Sequence, residues 1–211
     1  MIEFILALLI CIITHEFGHL LMAVVLGIKV KAYSIGFGKP IFKKVWKGIE
    51  WRIAPILLGG YCSLKGEGSR KELDDFLNHP YWKKFLVIIA GCTVNILIAF
   101  ICYLINWQSI KVGLIIDWEL SKALLTHQQV PDYILTIFYH INPSLFLEQL
   151  GIMSISCGIV NLAPLPPLDG GLIWLLAIEK NMSEWFKNVI MVLGWAVLII
   201  SQAWLICYLY F

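Results

Sequence analysis

The chain has 211 residues, of which 60% are hydrophobic and 14% are charged, whereas about a quarter of an average soluble domain is charged. Its mean hydropathy of +0.82 implies more apolar surface than one core of this size could bury, so we predict a membrane protein. A formal net charge of +2, without a basic stripe interleaved with aromatics, argues against nucleic acid as a partner. The composition also excludes disordered, coiled-coil and collagen-like chains.

Hydropathy divides the chain into four segments that are long enough to cross a bilayer of about 30 Å. Residues 2–28, 85–105 and 189–210 are continuous apolar runs, and residues 146–178 form a fourth that is interrupted by prolines and an Asp-Gly-Gly sequence. Such a sequence cannot be continuous helix, and it is tolerated at membrane depth only inside protein or beside a watery cavity. We therefore predict a mainly α polytopic membrane protein, a single domain over 1–211, with about four transmembrane helices of which one is broken.

Basic residues are concentrated in one segment. Residues 29–84 carry twelve of the sixteen lysines and arginines, so the positive-inside rule predicts that this segment is cytosolic and that both termini lie outside. Binding to anionic lipid headgroups is a less favoured reason for the same charge. Short apolar runs with turn signals from Val30 to Leu64 predict a small membrane-associated β-sheet. We expect a polar helix over Ser69–Trp82 and an interfacial helix near Tyr133–Tyr139.

One motif within the first span carries chemistry. His15-Glu16-Phe17-Gly18-His19 is an H-E-x-x-H, and on a helix its two imidazoles lie on one face, close enough to bind one ion. The intervening glutamate can then act as a general base toward water, as in zinc peptidases. The alternative is a chance motif, in which two histidines only pack between helices. A central acidic residue is expensive in the membrane, which favours the functional interpretation.

Catalytic zinc usually has three protein ligands, and Asp169 is the outstanding candidate for the third. His19 lies nine residues before the cytosolic end of its span and Asp169 lies eleven before Lys180. At about 1.5 Å per helical residue, both fall roughly 14 to 16 Å from the cytosolic side. The two halves of the site are therefore expected at the same depth.

Together these residues carry a family resemblance. The H-E-x-x-H motif and the Asn161-Leu-Ala-Pro-Leu-Pro-Pro-Leu-Asp169-Gly sequence resemble the paired signature of the site-2 protease family, zinc metalloproteases that cleave within membranes. The resemblance covers nearly the whole chain. It implies one Zn²⁺ per chain, held by His15, His19 and Asp169, with Glu16 as the general base.

The resemblance also implies substrate contacts. Asn161 matches an asparagine that can hold the substrate backbone or the developing oxyanion, although a helix-to-helix hydrogen bond is its alternative. Asn95 matches a position in the second span, where an interhelical contact and a substrate contact are equally compatible with the sequence. The segment that contains Gly59, Gly60 and Tyr61 resembles the family's membrane-associated β-hairpin, whose edge can capture an unwound substrate.

Some features of relatives are missing. Residues 107–144 are too few for the PDZ domain that many bacterial relatives carry there, and no CBS domain is expected after Phe211. Ser156 stands where some relatives have a second asparagine, and Cys92 replaces the proline of their Ala-Gly-Pro run. These departures bear on substrate clamping rather than on the metal site.

The sequence therefore predicts a zinc metalloendopeptidase of the cell membrane, expected to be prokaryotic, that cleaves single-span substrates near the cytosolic side in regulated intramembrane proteolysis. A metal-binding or transport protein that uses the same His, His and Asp is the alternative, and an inactive scaffold is a third. The substrate, its cut site, the trigger and the oligomeric state are not specified by the sequence.

Overall fold

The computed structural model describes residues 2–66, 72, 74–105, 146–178 and 182–210, with five further positions between 115 and 122. The predicted helix at Tyr133–Tyr139 lies outside these residues. The described chain is mainly helical with one small sheet, as predicted. In chain order its elements are α1 (Ile2–Val25), β1 (Val30–Phe37), β2 (Phe42–Trp46), β3 (Ile49–Ile53), β4 (Ile56–Leu64), a 3₁₀ helix (Phe76–Asn78), α2 (Tyr81–Ile105), α3 (Phe146–Asn161), α4 (Asp169–Ile178) and α5 (Glu184–Tyr210).

Within the described residues, two helices, α1 and α2, are long and apolar enough to cross a membrane. The predicted break in the third segment is present, because α3 ends at Asn161 and α4 begins at Asp169. The prolines between them cannot donate backbone hydrogen bonds to a continuous helix. The crossing of the bilayer by 146–178 and 189–210 stays a prediction.

The predicted helix ends differ from the observed ones. The first span was expected to continue to Ile28, but α1 ends at Val25 because Gly27 adopts a positive φ of 72°. The Gly27 and Ile28 amides then donate to the carbonyl oxygens of Val24 and Ala23, at 3.1 and 2.8 Å, which closes the helix end. The helices that contain the second and the last predicted spans, α2 and α5, begin four and five residues earlier than expected, at Tyr81 and Glu184.

The helix expected over Ser69–Trp82 is wrong for the described part of that segment. Only the 3₁₀ helix Phe76–Asn78 forms, and α2 starts after Pro80. Proline disfavours helical geometry in the residue before it, which is His79. The segment is instead fixed by charge, since Lys65 contacts Glu72 at 2.6 Å and Asp74 at 2.8 Å.

The predicted sheet has four strands in the order β2-β3-β1-β4. β1 pairs in parallel with β3 and antiparallel with β4, so β4 is an edge strand. The segment around residues 58–64, which resembles the family's β-hairpin, lies within the single strand β4, and its antiparallel partner is β1. The connection between β3 and β4 passes Gly36, where an added Cβ would lie 2.5 Å from the Ala54 oxygen. Only glycine allows this crossing.

The sheet and the helices pack around α1. The Tyr33 hydroxyl of β1 donates to the Ile13 carbonyl of α1 at 2.8 Å, and buried Leu20 and Val87 join α1 and α2 in the main core. The two helices are in close contact at Gly18. A Cβ added there would lie 2.6 Å from the Ala90 oxygen, so this crossing requires glycine.

We expect Gly18→Val to lower the free energy of unfolding by about 1–3 kcal/mol, because the new side chain would push α2 away from α1. Unfolding of the purified protein in mixed detergent micelles would measure the change. Leu21→Val is the matched control, since Leu21 lies on the same helix with half of its surface exposed (50%). Equal stability of the two variants would contradict the close packing.

Candidate metal centre and catalytic site

Three potential metal ligands converge although they are far apart in sequence. His15 and His19 lie one turn apart on α1, and Asp169 is the first residue of α4. The Asp169 Oδ2 atom lies 3.1 Å from His15 Nε2 and 3.4 Å from His19 Nε2. The two Nε2 atoms are 3.2 Å apart. One donor atom from each residue thus lies within 4.8 Å of the others, and together they can hold a metal ion.

The tautomer of His19 is fixed by a backbone group. Its Nδ1 lies 2.8 Å from the Val87 carbonyl oxygen on α2. A carbonyl can only accept a hydrogen bond, so Nδ1 carries the proton and Nε2 presents a lone pair to the cluster. Metal-binding histidines have this arrangement, in which the second ring nitrogen donates to a fixed acceptor.

His15 has a side-chain partner on α2. The amide nitrogen of Asn95, a fully buried residue, lies 3.3 Å from His15 Nδ1. The amide oxygen of Asn95 lies 3.4 Å from the Thr14 hydroxyl, which also donates to the Ile10 carbonyl at 2.8 Å. The Asn95 side chain therefore joins the two helices beside the His15 ring and fixes the orientation of that ring. The contact supports the interhelical alternative for Asn95, and contact with substrate stays a prediction.

The two imidazoles lie against α2 at Gly91, which has no side chain. A Cβ added at Gly91 would collide with the His19 ring and lie 2.9 Å from His15 Cε1. Beside this glycine, the Cys92 thiol donates to Asp169 Oδ2 at 3.4 Å. Three of the partners that orient the ligands therefore come from α2, and sequence reasoning missed two of them. The Val87 carbonyl has no side-chain signal, and Cys92 stood out only as a departure from the Ala-Gly-Pro run.

Glu16 faces the sheet. Its Oε2 atom accepts a hydrogen bond of 3.0 Å from the backbone N–H of Cys62 in β4. It also lines a cavity of about 380 Å³ together with His19 and Asp169. A carboxylate held by one backbone donor, beside three potential metal ligands, is positioned to take a proton from water in that cavity.

The other predicted site residues lie around β4 and at the end of α3. Gly60 packs beside Glu16, because a Cβ added there would lie 3.4 Å from Glu16 Cγ. Tyr61 stacks on Phe37 with 6.5 Å between ring centres, and Gly59 lies against the same phenylalanine ring. Asn161 donates to the Cys157 carbonyl of its own helix at 3.0 Å. Its amide also lies 3.3 Å from the Cys157 thiol, and its contact with substrate stays a prediction.

Charge organises the sheet next to this site. Arg52 on β3 donates to the Tyr61 hydroxyl at 2.8 Å and bridges to Glu50. Hydrogen bonds from Arg52 and Lys43 lower the pKa of Glu50 to about 2. Glu50 therefore remains a carboxylate at neutral pH, and the Arg52 side chain that holds Tyr61 remains fixed.

The donor set fits zinc. Two imidazole nitrogens and one carboxylate oxygen are the usual three ligands of a catalytic zinc, which keeps a further position open. The Nδ1 atom of His19 faces the Val87 carbonyl and that of His15 faces the Asn95 amide, so both rings are oriented from their second nitrogen. Fold and site together define a helical protein of the H-E-x-x-H metallopeptidase class.

The sequence profile of peptidase family M50 matches residues 3–201, and the chain belongs to this family of site-2 proteases. The expected family is therefore confirmed. Among curated proteins the chain is 39% identical over 117 residues to one from Chlamydia pneumoniae. It is 35% identical over 121 residues to one from Ralstonia nicotianae and 38% identical over 109 residues to one from Neisseria meningitidis. Each of the three is described as a "putative zinc metalloprotease".

These alignments cover 49%, 50% and 49% of this chain, and 19%, 26% and 24% of the respective relatives. The chain thus spans about a quarter or less of the length of the curated relatives it matches. Family membership agrees with zinc as the cofactor, and the described residues that can hold it are His15, His19 and Asp169.

We expect Asn95→Leu to weaken zinc binding about 10- to 100-fold, because His15 loses the polar partner that fixes its ring. Competition with a fluorescent zinc chelator would measure the affinity. Asn95→Asp places a carboxylate beside the same ring nitrogen, where it can accept the Nδ1 proton, and should restore most of the binding. Thr93→Val is the control, since the exposed Thr93 hydroxyl bonds only to the Ile89 carbonyl of its own helix at 2.9 Å. Unchanged affinity in Asn95→Leu would refute the positioning role.

Proposed function

We propose that this chain is an intramembrane zinc endopeptidase that hydrolyses peptide bonds of single-span membrane proteins near the cytosolic side. The observation that carries the proposal is the convergence of His15 and His19 with Asp169, beside a carboxylate that is not part of the cluster, Glu16. A metal carrier would need the three ligands but would have no use for a carboxylate directed at the adjoining cavity.

In this proposal His15, His19 and Asp169 hold the zinc ion. Zinc bound there would lower the pKa of a coordinated water and polarise the carbonyl of the scissile bond. Glu16 takes the proton from the attacking water and delivers it to the leaving amide nitrogen, so that the carboxylate is regenerated after each turnover. Asn161, at the end of α3, is proposed to hold the substrate backbone through its side-chain amide.

The proposed topology has four spans, with residues 29–84 in the cytosol and both termini outside. The twelve basic residues of that segment support this orientation. The named relatives are bacterial, which supports a prokaryotic cell membrane as the location. A cut close to the cytosolic side would release a cytosolic fragment, which is how such proteases act in regulated intramembrane proteolysis.

The proposal also assigns a role to β4. A substrate helix hides its peptide groups in internal hydrogen bonds and must unwind before it can be cut. An edge strand can bind the exposed backbone by adding a strand to the sheet. The Cys62 N–H points toward Glu16 and away from β1. Backbone N–H groups along a strand point alternately to its two edges, so the N–H of Gly60, two residues earlier, also points away from β1. The substrate would thus be captured beside the general base.

Glu16→Gln tests the function directly. We expect cleavage of a tagged single-span protein in proteoliposomes to fall by at least about a hundredfold, the usual scale for loss of a general base, while bound zinc stays near one per chain. Gel analysis of the fragments and metal analysis of the same sample provide the two readouts. Equal cleavage by wild type and variant would refute the protease assignment.

Gly60→Pro tests substrate capture. Proline removes the N–H that faces away from β1, so cleavage of a helical substrate should fall well below that of Gly60→Ala, with zinc content intact in both. Gly60→Ala is the matched control, because both variants place a Cβ 2.7 Å from the Ser34 oxygen and only one lacks the donor. Equal initial rates for the two variants would contradict strand addition at β4.

A further inference from the structure

The cavity beside Glu16 extends beyond the metal ligands. Its walls come from α1, β4, the 3₁₀ helix, α2, α4 and α5. Asp169, Leu172 and Leu176 line it at spacings of three and four residues along α4. At about 1.5 Å per residue, Leu176 lies roughly 10 Å along the helix from the metal ligand. The cavity therefore continues for about two helical turns away from the centre where the bond is cut.

Away from that centre the walls are almost entirely apolar. They include six bulky apolar side chains: Phe76, Leu77, Ile88, Leu172, Leu176 and Met191. All of these except Met191 also belong to or pack against the main core, so their positions are fixed by the fold. A cavity with fixed walls can discriminate between side chains by size.

The charged residues that line the cavity disfavour a charged occupant. Lys187 is the one lysine or arginine among the described lining residues, and it disfavours a second cation. Glu16 and Asp169 at the catalytic end repel a second anion. A charged group of either sign would also lose water against the apolar walls, which costs free energy.

From this placement we infer that the cavity is a specificity pocket for one large uncharged side chain, aliphatic or aromatic, of the residue next to the scissile bond. This inference rests on the proposed function. The volume of about 380 Å³ is within the range of small-ligand pockets, about 300–1,000 Å³, and exceeds the roughly 150 Å³ that holds one benzene ring. It suffices for a leucine, methionine or phenylalanine side chain together with part of its backbone. Leu176 limits how long that side chain can be.

The first test measures binding without catalysis. Zinc-loaded Glu16→Gln protein is titrated with N-acetyl amino-acid hydroxamates that share the zinc-binding group and differ only in the side chain. We expect the isobutyl and benzyl compounds to bind at least about tenfold more tightly than the methyl compound, and the carboxymethyl and aminobutyl compounds to bind most weakly. Affinities that do not depend on the side chain would overturn the pocket.

Two variants locate the pocket. Leu176→Trp should fill its far end and abolish the advantage of the isobutyl and benzyl groups, whereas Leu176→Ala should lengthen it and favour an indolylmethyl group. Ile178→Trp is the matched control, since this side chain lies on the same helix and is 52% exposed. The order in which this variant binds the hydroxamates should equal that of the protein without the Ile178 substitution. An unchanged ranking in both Leu176 variants, with zinc content retained, would overturn the assignment.

The second test uses cleavage by the wild-type chain. Single-span substrates that differ at one position beside the mapped cut should be cut at least about tenfold faster with leucine or phenylalanine than with alanine or aspartate. Zinc-dependent and Glu16-dependent cleavage without this preference would overturn the pocket and leave the protease function standing. A side-chain ranking in hydroxamate binding without any cleavage would support the pocket and refute the protease function.

Discussion

The close contact between α1 and α2 is the constraint on which the site depends. Gly18 on one helix and Gly91 on the other remove the side chains that would hold the backbones apart. In apolar surroundings, helices gain little from hydrophobic burial against each other and rely on such close packing. The approach brings the Val87 carbonyl to hydrogen-bonding distance of His19. Without it, the imidazoles would lose the partners on α2 that direct their Nε2 atoms toward Asp169.

The position of Asp169, the third potential ligand, depends on the break between α3 and α4. The prolines that end α3 let α4 begin at Asp169, so the carboxylate sits at a helix N-terminus, where the backbone dipole stabilises negative charge. Gly170 and Gly171 pack directly against the backbone of the preceding turn, and that packing leaves no room for side chains. The sequence that breaks the helix is thus also the sequence that delivers the ligand to the two histidines.

Those parts of the site that depend on spacing were predictable from the sequence. The separation of His15 and His19 fixes their shared helix face, and counting residues to the cytosolic ends brought Asp169 to the same depth. Contacts made by backbone groups were not predictable, because the Val87 carbonyl and the Cys62 N–H carry no side-chain signature. The sheet was recognisable from its turn residues, but its strand order was not. It depends on the crossing beside Gly36, which only the folded chain reveals.

The link between Glu16 and β4 constrains how a substrate could bind. The Cys62 N–H donates to the Glu16 carboxylate at 3.0 Å, so a substrate strand that paired with Cys62 would compete with Glu16, the proposed general base, for the same donor. Pairing through Gly60, two residues away, leaves that bond in place and positions the peptide directly beside Glu16, where glycine leaves room for it. The edge strand can therefore orient Glu16 and bind the substrate only if it uses different N–H groups for the two tasks. Successive donors on one edge of a strand are two residues apart, so Cys62 and Gly60 provide two separate N–H groups on the same side.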